Sequence, residues 1–233
     1  MVDFTGGTWR SLIDGTEIVA IPDTAGLQGH WDATEISATD GDGITTWTDQ
    51  SGAGNDLEGG NPIYRENEIG NNPALDFDPT DDILSTNNQI TQNNNLTIFA
   101  VGYVDGEGHA LNYRQSDPGF FIMRDGDVRL EDDSGSRTTI NIGWGGTTPV
   151  VAMGELVDDD GLSIRSRING SDFDSSSHGS GNLDSSTFHV NDDPERDNPC
   201  GCTFGEILLY TESKSSSQIQ DIEAYLNGKW SIY

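Results

Sequence analysis

Gly205-Glu-Ile-Leu-Leu-Tyr210 leads through Ser215-Ser-Ser217 into a stretch that ends at Lys229-Trp230. Ile207, Leu208, Leu209 and Tyr210 form a short apolar run rich in strand-favouring residues. Any of the three serines can serve as a helix N-cap. Beyond them Ile219, Ile222 and Leu226 recur at three- and four-residue spacing with Tyr225 beside them, which predicts one amphipathic helix with a single apolar stripe. Lys229 falls in its last turn, at the negative end of the helix dipole. The chain therefore closes with a strand, a serine hinge and one helix.

Two further blocks stand upstream. His30-Trp-Asp-Ala33 leads through Asp40-Gly-Asp-Gly-Ile-Thr-Thr-Trp47 to Asp49-Gln-Ser-Gly-Ala-Gly-Asn-Asp56, and Pro73-Ala-Leu-Asp-Phe-Asp78 precedes Asp81, Asp82 and Leu84. In this order, over about residues 29 to 230, the three blocks resemble the concanavalin-like, laminin-G-like jelly-roll family. The resemblance implies an all-β antiparallel sandwich with one short C-terminal helix on its outside. It implies little about activity, because one fold hosts many functions. Many members of the family bind calcium at loop carboxylates.

The 233 residues suffice for one sandwich with a sizeable core. Turn signals recur every 8 to 15 residues, as a many-stranded sandwich requires. Leu96-Thr-Ile-Phe-Ala-Val-Gly-Tyr103 reads as the central strand. Phe120–Met123 and Asp127–Leu130 flank Asp125-Gly126 as a hairpin. The Ser-, Gly- and Asp-rich segment 171–187 reads as a mobile loop. Residues 1–26 read as an N-terminal arm ahead of the sandwich at 27–233. Asp14-Gly15 predicts a hairpin between Thr8–Ile13 and Thr16–Ile21. Phe4, Trp9, Leu12, Ile13 and Ile21 are the arm's candidates for docking onto a neighbouring subunit or particle.

Charge is the dominant compositional fact: 40 Asp and Glu against 11 Lys and Arg, a formal net charge of −29. Such self-repulsion opposes a compact state. At molar salt the Debye length falls to about 3 Å and most of the repulsion vanishes. The composition predicts a protein built for concentrated salt. It argues against nucleic-acid binding, which needs a basic patch. No apolar stretch approaches the ~18 residues of a membrane span. The first residues carry no secretory pattern, which implies synthesis in the cytoplasm. Phe4-Thr-Gly-Gly-Thr-Trp-Arg-Ser-Leu-Ile-Asp-Gly15, followed by Ala20-Ile-Pro-Asp23, is similar to an N-terminal segment found in tailed viruses of halophilic archaea. With the acidity, that similarity implies a non-enzymatic virion structural protein (capsid decoration, turret or tail component), located in the virion. Expected partners are other copies of itself, other virion proteins and host-surface glycans. The alternative is a cell-surface or secreted carbohydrate-binding module.

The candidate chemistry is sparse. A glycosidase on this fold is expected to carry a Glu-x-Asp-x-x-Glu run whose carboxyls meet in space. Glu131-Asp132-Asp133 is the nearest cluster and lacks the third member. Hard oxygen ligands suit calcium, and Asp76, Asp78, Asp81 and Asp82 are its leading candidates. Asp40 with Asp42, and Asp158-Asp-Asp160, are alternatives. Cys200-Gly-Cys202 could close a small strained ring, or bind a soft metal with help from His189 or another His, though a lone C-x-C is a poor match to a zinc site. Free buried thiols are the favoured reading. His30, His109, His178 and His189 show no triad spacing, and His178 is expected to be exposed. Trp31, Trp47, Trp144, Tyr64, Tyr103 and Tyr113 can stack on sugars where exposed. The family resemblance implies core or near-core positions for Trp31 and Trp47, so packing is expected for them. Trp144, in its glycine loop, is the preferred ligand-binding candidate, with Tyr113 and Arg114.

Overall fold

The computed structural model describes residues 2–5, 8–11, 17–18, 20–80, 82–114, 119–191 and 199–233. In chain order the strands are β1 (Val2–Thr5), β2 (Thr8–Ser11), β3 (Glu17–Ile18), β4 (Leu27–Asp32), β5 (Thr46–Trp47), β6 (Leu57–Gly59), β7 (Ile63–Ile69), β8 (Asn72–Phe77), β9 (Leu84–Thr86) and β10 (Leu96–Val104). There follow β11 (His109–Arg114), β12 (Phe120–Arg124), β13 (Asp127–Glu131), β14 (Arg137–Asn141), β15 (Gly146–Asp158), β16 (Leu162–Ile168), β17 (Asp174–Gly179), β18 (Thr187–Val190) and β19 (Cys202–Tyr210). The helix α1 (Ser216–Trp230) closes the chain.

Two antiparallel sheets carry the body of the fold. The first runs β17-β16-β15-β10-β19-β8-β7, with β4 also pairing β19. The second runs β14-β13-β12-β11-β18-β9-β6-β5. This is the all-β sandwich with one C-terminal helix that the family resemblance implies. The first three strands form a small sheet of their own, in which Trp9 pairs with Ile18 and Arg10 with Glu17, whereas a two-residue turn at Asp14-Gly15 would set Trp9 opposite Ala20; Asp14 and Gly15 themselves lie outside the described residues.

Period-two alternation builds two apolar layers from the same strands. In β10, Leu96, Ile98, Ala100 and Val104 enter the core between the sheets. Phe99 and Val101 face the other way, into a layer with Ile219, Ile222, Leu226 and Trp230 of α1. That strand is buried on both faces, which is why its sequence is apolar throughout. The helix starts at the N-cap Ser215, whose side chain accepts from the Gln218 N–H while Gln218 reciprocates. This capping box satisfies two end donors of the first turn.

A bulge in β19 decides where the one charged residue of that strand goes. Val101 pairs with Glu206 and Gly102 with Phe204, so Gly205 is the extra residue. The bulge turns Glu206 out of the sandwich core and under α1. The opening hairpin is organised by Asp49, whose carboxylate accepts the N–H groups of His30, Ser51, Gly54 and Asn55. Trp31 and Trp47 pack in the core as expected, Trp31 stacked on Phe188 at 5.3 Å between ring centres.

Two expectations are corrected. Segment 171–187 is not all loop: Asp174–Gly179 is an edge strand paired with β16. Its serines carry little strand signal, and pairing with a neighbouring backbone supplies the order instead. His178 in that strand is not exposed. Its side chain is fully buried, with Nε2 3.0 Å from Asp132 Oδ2 and Nδ1 2.9 Å from Thr138 Oγ1. The ring thus ties an edge of the first sheet to an edge of the second.

Candidate functional site

β7 and β8 run antiparallel with Ile63 opposite Asp76, and Arg65 is opposite Ala74. Alternation sends Leu75 and Phe77 into the core and leaves Asp76 on the outer face. The chain then turns through Asp78 and Asp82 before β9. The result is a cleft of about 600 Å³ lined by Asn61, Ile63, Arg65, Asp76, Asp78 and Asp82.

The cleft's carboxylates are held in place from behind. Asp82 is buried; its Oδ1 accepts from Asn61 N–H at 3.1 Å and its Oδ2 from Asp78 N–H at 3.0 Å. Asp78 Oδ1 accepts from Thr80 N–H at 2.7 Å. Asn191, itself buried, donates its amide hydrogens to the carbonyls of Asp78 and Asp82 at 2.7 and 3.3 Å. Arg65 Nε donates to Asp76 Oδ2 at 3.2 Å, with both side chains about two-fifths exposed. Asp81 lies outside the described residues. So the structure brings Asp76, Asp78 and Asp82, predicted from sequence, to one cleft.

A second recess of about 400 Å³ adjoins it and shares Asp76 and Asp78. Tyr103, Asp105, Glu107, Cys200 and Cys202 line its other side. Tyr103 is half-buried and donates its hydroxyl to Glu68 at 2.9 Å. Burial raises the pKa of that phenol, and Glu68 adds to the effect, so it stays a donor. Carboxylate acceptors, an amide, a guanidinium and one aromatic face are the groups that orient a polyhydroxylated ligand. The carboxylates are also the hard oxygens that calcium takes.

The aromatic candidates do not join this site. Trp144 is 1% exposed and packs edge-to-face on Phe204 at 5.9 Å. It anchors its glycine loop instead of presenting a stacking face, because an indole left in water forfeits the larger gain of burial. Tyr113 is fully buried; its hydroxyl donates to the Ile90 carbonyl and accepts from Ser186 N–H. Arg114 is buried with its guanidinium 5.7 Å from the Phe120 ring centre. Of the arm residues, Ile21 packs against the layer under α1, Phe4 and Trp9 lie in β1 and β2, and Leu12 and Ile13 lie outside the described residues. Asp40 and Asp42 accept from Glu66 and Thr39 N–H groups, and Asp158 accepts from the Asn94 amide. His189 has Nδ1 on Ser85 and Nε2 on Thr187.

The densest polar cluster was not singled out from sequence. Glu206 Oε1 accepts from His30 Nε2 at 2.9 Å and Tyr225 hydroxyl at 2.7 Å. Its Oε2 accepts from Lys229 Nζ at 2.9 Å and Trp230 Nε1 at 2.6 Å. Burial alone would raise this carboxyl. The His30 hydrogen bond and the Lys229 charge reverse that and hold it at about 2. His30, Asp32 and Glu206 offer donor atoms within 4.8 Å of one another, the makings of a metal site. Lys229 Nζ contacts both Asp32 and Glu206 and supplies the cation there. The chain pattern Gly-Glu-Ile followed by Lys-Trp was the available signal, but Glu206 and His30 are 176 residues apart.

No protein-family model and no curated protein matches the chain. Solved structures do. The binding domain of Paraclostridial Mosquitocidal Protein 1 superposes with a TM-score of 0.60 at 14% identity, over 88% of this chain and 52% of that one. The receptor binding domain of botulinum neurotoxin D gives 0.61 at 13%, over 86% and 52%. A Trypanosoma rangeli sialidase in complex with sialic acid gives 0.54 at 16%, over 94% and 35%. The chain thus spans about half, or less, of the length of these structures. At such identities the likeness establishes the β-sandwich fold alone.

Proposed function

We propose that the chain is a non-enzymatic attachment module that binds carbohydrate in the cleft between Arg65 and Asp82. The observation that carries this reading is the cleft itself: Asn61, Arg65, Asp76, Asp78 and Asp82 around about 600 Å³. Its deeper carboxylate, Asp82, is fixed by backbone N–H groups, which suits orientation of hydroxyls. Calcium is the cofactor this donor set would take, bridging the same carboxylates to sugar oxygens.

The setting we propose is the virion of a virus of halophilic archaea. The acid surplus supports it, as does the disposition of the few cations. Among the described residues Arg65, Arg124, Arg129, Arg137, Arg165, Arg167, Lys214 and Lys229 each pair with a carboxylate. Many carboxylates among the described residues stand exposed, where screening by salt offsets their repulsion. The N-terminal sheet would be the assembly element.

A glycan array read in multi-molar salt, with and without calcium, tests the binding reading. Saturable binding that falls about tenfold or more in Arg65→Ala and Asp76→Asn supports it. A wild-type protein that binds no glycan under either condition overturns it. Molar mass by light scattering, for the full chain and for one starting at Gly26, tests the assembly role. A defined oligomer that becomes a monomer on shortening supports it.

A further inference from the structure

Cys200 and Cys202 are both buried, and both thiols point at one oxygen. Asn191 Oδ1 lies 3.5 Å from Cys200 Sγ and 3.7 Å from Cys202 Sγ. The same oxygen accepts the N–H groups of Cys200 and Gly201 at 3.0 and 3.2 Å. From its other end Asn191 holds the carbonyls of Asp78 and Asp82. One amide side chain therefore connects the two thiols to the acidic loop. The Cys200-Gly-Cys202 turn is also part of the wall of the second recess, which gives a small oxidant a way in.

The spacing suits a bond between the two sulfurs. Residues two apart on an extended strand project to the same side, with Cα atoms about 6.6 Å apart, and disulfides span up to about 6.8 Å. Gly201 adopts φ 64°, a left-handed conformation open to glycine, which bends the chain and draws its neighbours closer. At rest the pair is held as thiols: burial pushes the Cys202 thiol well above its usual range, and the neighbouring Cys200 adds to this.

We infer that Cys200 and Cys202 are a redox-modifiable site whose intramolecular disulfide releases Asn191 and loosens the Asp78–Asp82 loop. The reaction is a two-electron oxidation by a peroxide. Each thiol gives up its hydrogen, the sulfurs form one S–S bond, and hydrogen peroxide is reduced to two waters. Drawing the sulfurs together moves Gly201 and breaks its hydrogen bond to Asn191. Any consequence for ligand binding rests on the glycan-binding reading of the cleft; the modification and the loosening do not.

The test uses the full chain in multi-molar salt, treated with hydrogen peroxide at mildly alkaline pH. Intact mass is expected to fall by two hydrogens, with no change in molar mass by light scattering and recovery on adding a thiol reductant. Hydrogen exchange at the Asn61 and Asp78 amides, both bonded to Asp82, is expected to speed up about five- to tenfold, the loss of about one net hydrogen bond. Cys200→Ser and Cys202→Ser are expected to show neither change. Sulfinic acid or cross-linked dimers instead of the disulfide would overturn the inference, as would an unchanged mass. So would a disulfide with unaltered exchange at those amides. If either serine variant shows the same faster exchange, methionine oxidation is the cause and the inference falls. No sugar enters any of these readouts, so they stand apart from the glycan array.

Discussion

Trp230 donates its indole N–H to the buried carboxylate of Glu206 at 2.6 Å, while its ring lies where a Cβ on the adjacent Gly205 would be. A methyl there would clash with Trp230 Cη2. Two neighbouring residues of β19 thus hold opposite parts of one side chain, the glycine by its lack of bulk and the glutamate by its charge. This explains why a glycine, a glutamate and a distant tryptophan go together in this chain.

Gly205→Ala should destabilise the protein by about 1–3 kcal/mol through overpacking. Trp230→Ala should cost about 3–5 kcal/mol. The double variant should cost clearly less than the sum, because removing the ring removes the clash. Urea unfolding at constant salt measures all three. Strict additivity would show that the ring is not what excludes a side chain at Gly205.

Glu206 should govern acid stability. Its folded pKa of about 2 lies below the ordinary 4.5. A depressed carboxyl adds stability above its unfolded pKa, and that stability is lost as pH falls from about 4.5 through 2. The shift corresponds to about 3 kcal/mol at neutral pH. Glu206→Gln should lose about that much at pH 7 and little near pH 2. Parallel pH profiles for the two proteins would contradict the assignment.

Glu223 should act in the opposite sense. Burial on the inner face of α1 raises its carboxyl to about 7, and the Arg167 guanidinium 3.1 Å away offsets this only in part. A raised folded pKa gives stability that is fully present below about 4.5 and is lost as pH rises through about 7. Urea midpoints of the wild type should therefore decline between these values. Glu223→Gln should flatten that segment by about 1–3 kcal/mol. An unchanged slope in the variant would rule it out.

Salt should stabilise this protein by screening and not only by exclusion from its surface. With a net charge of −29, raising potassium chloride from about 0.1 M to molar concentration should raise the unfolding temperature steeply. An uncharged osmolyte at matched water activity should do much less, since it leaves the repulsion in place. Equal effects of the two would remove the electrostatic basis for a high-salt habitat.

The chain by itself determined the class of fold. Periods of two and of 3.6 residues are local, so β10, β19 and α1 could be read directly, while the burial of Trp31 and Trp47 was an expectation of the family resemblance. A cap among Ser215–Ser217 was equally legible, because its hydrogen bond closes within a few residues. Only the tertiary structure decided which way side chains in irregular segments face. Trp144 sits among glycines either way, and packing against Phe204 turned it inward. His178 looked exposed in a serine-rich segment until Asp132 and Thr138 met it from another sheet. The convergence of His30, Asp32, Glu206 and Lys229 follows from β4 pairing with β19 and α1 folding back over both. In the cleft, 40 acidic residues made every carboxylate a candidate, and what selected among them was the pairing of β7 with β8, which sets Arg65 beside Asp76, together with the bonds from Asn61 and Asp78 to Asp82. Local pattern specifies which face of an element is apolar; the partner across that face comes from parts of the chain far away in sequence.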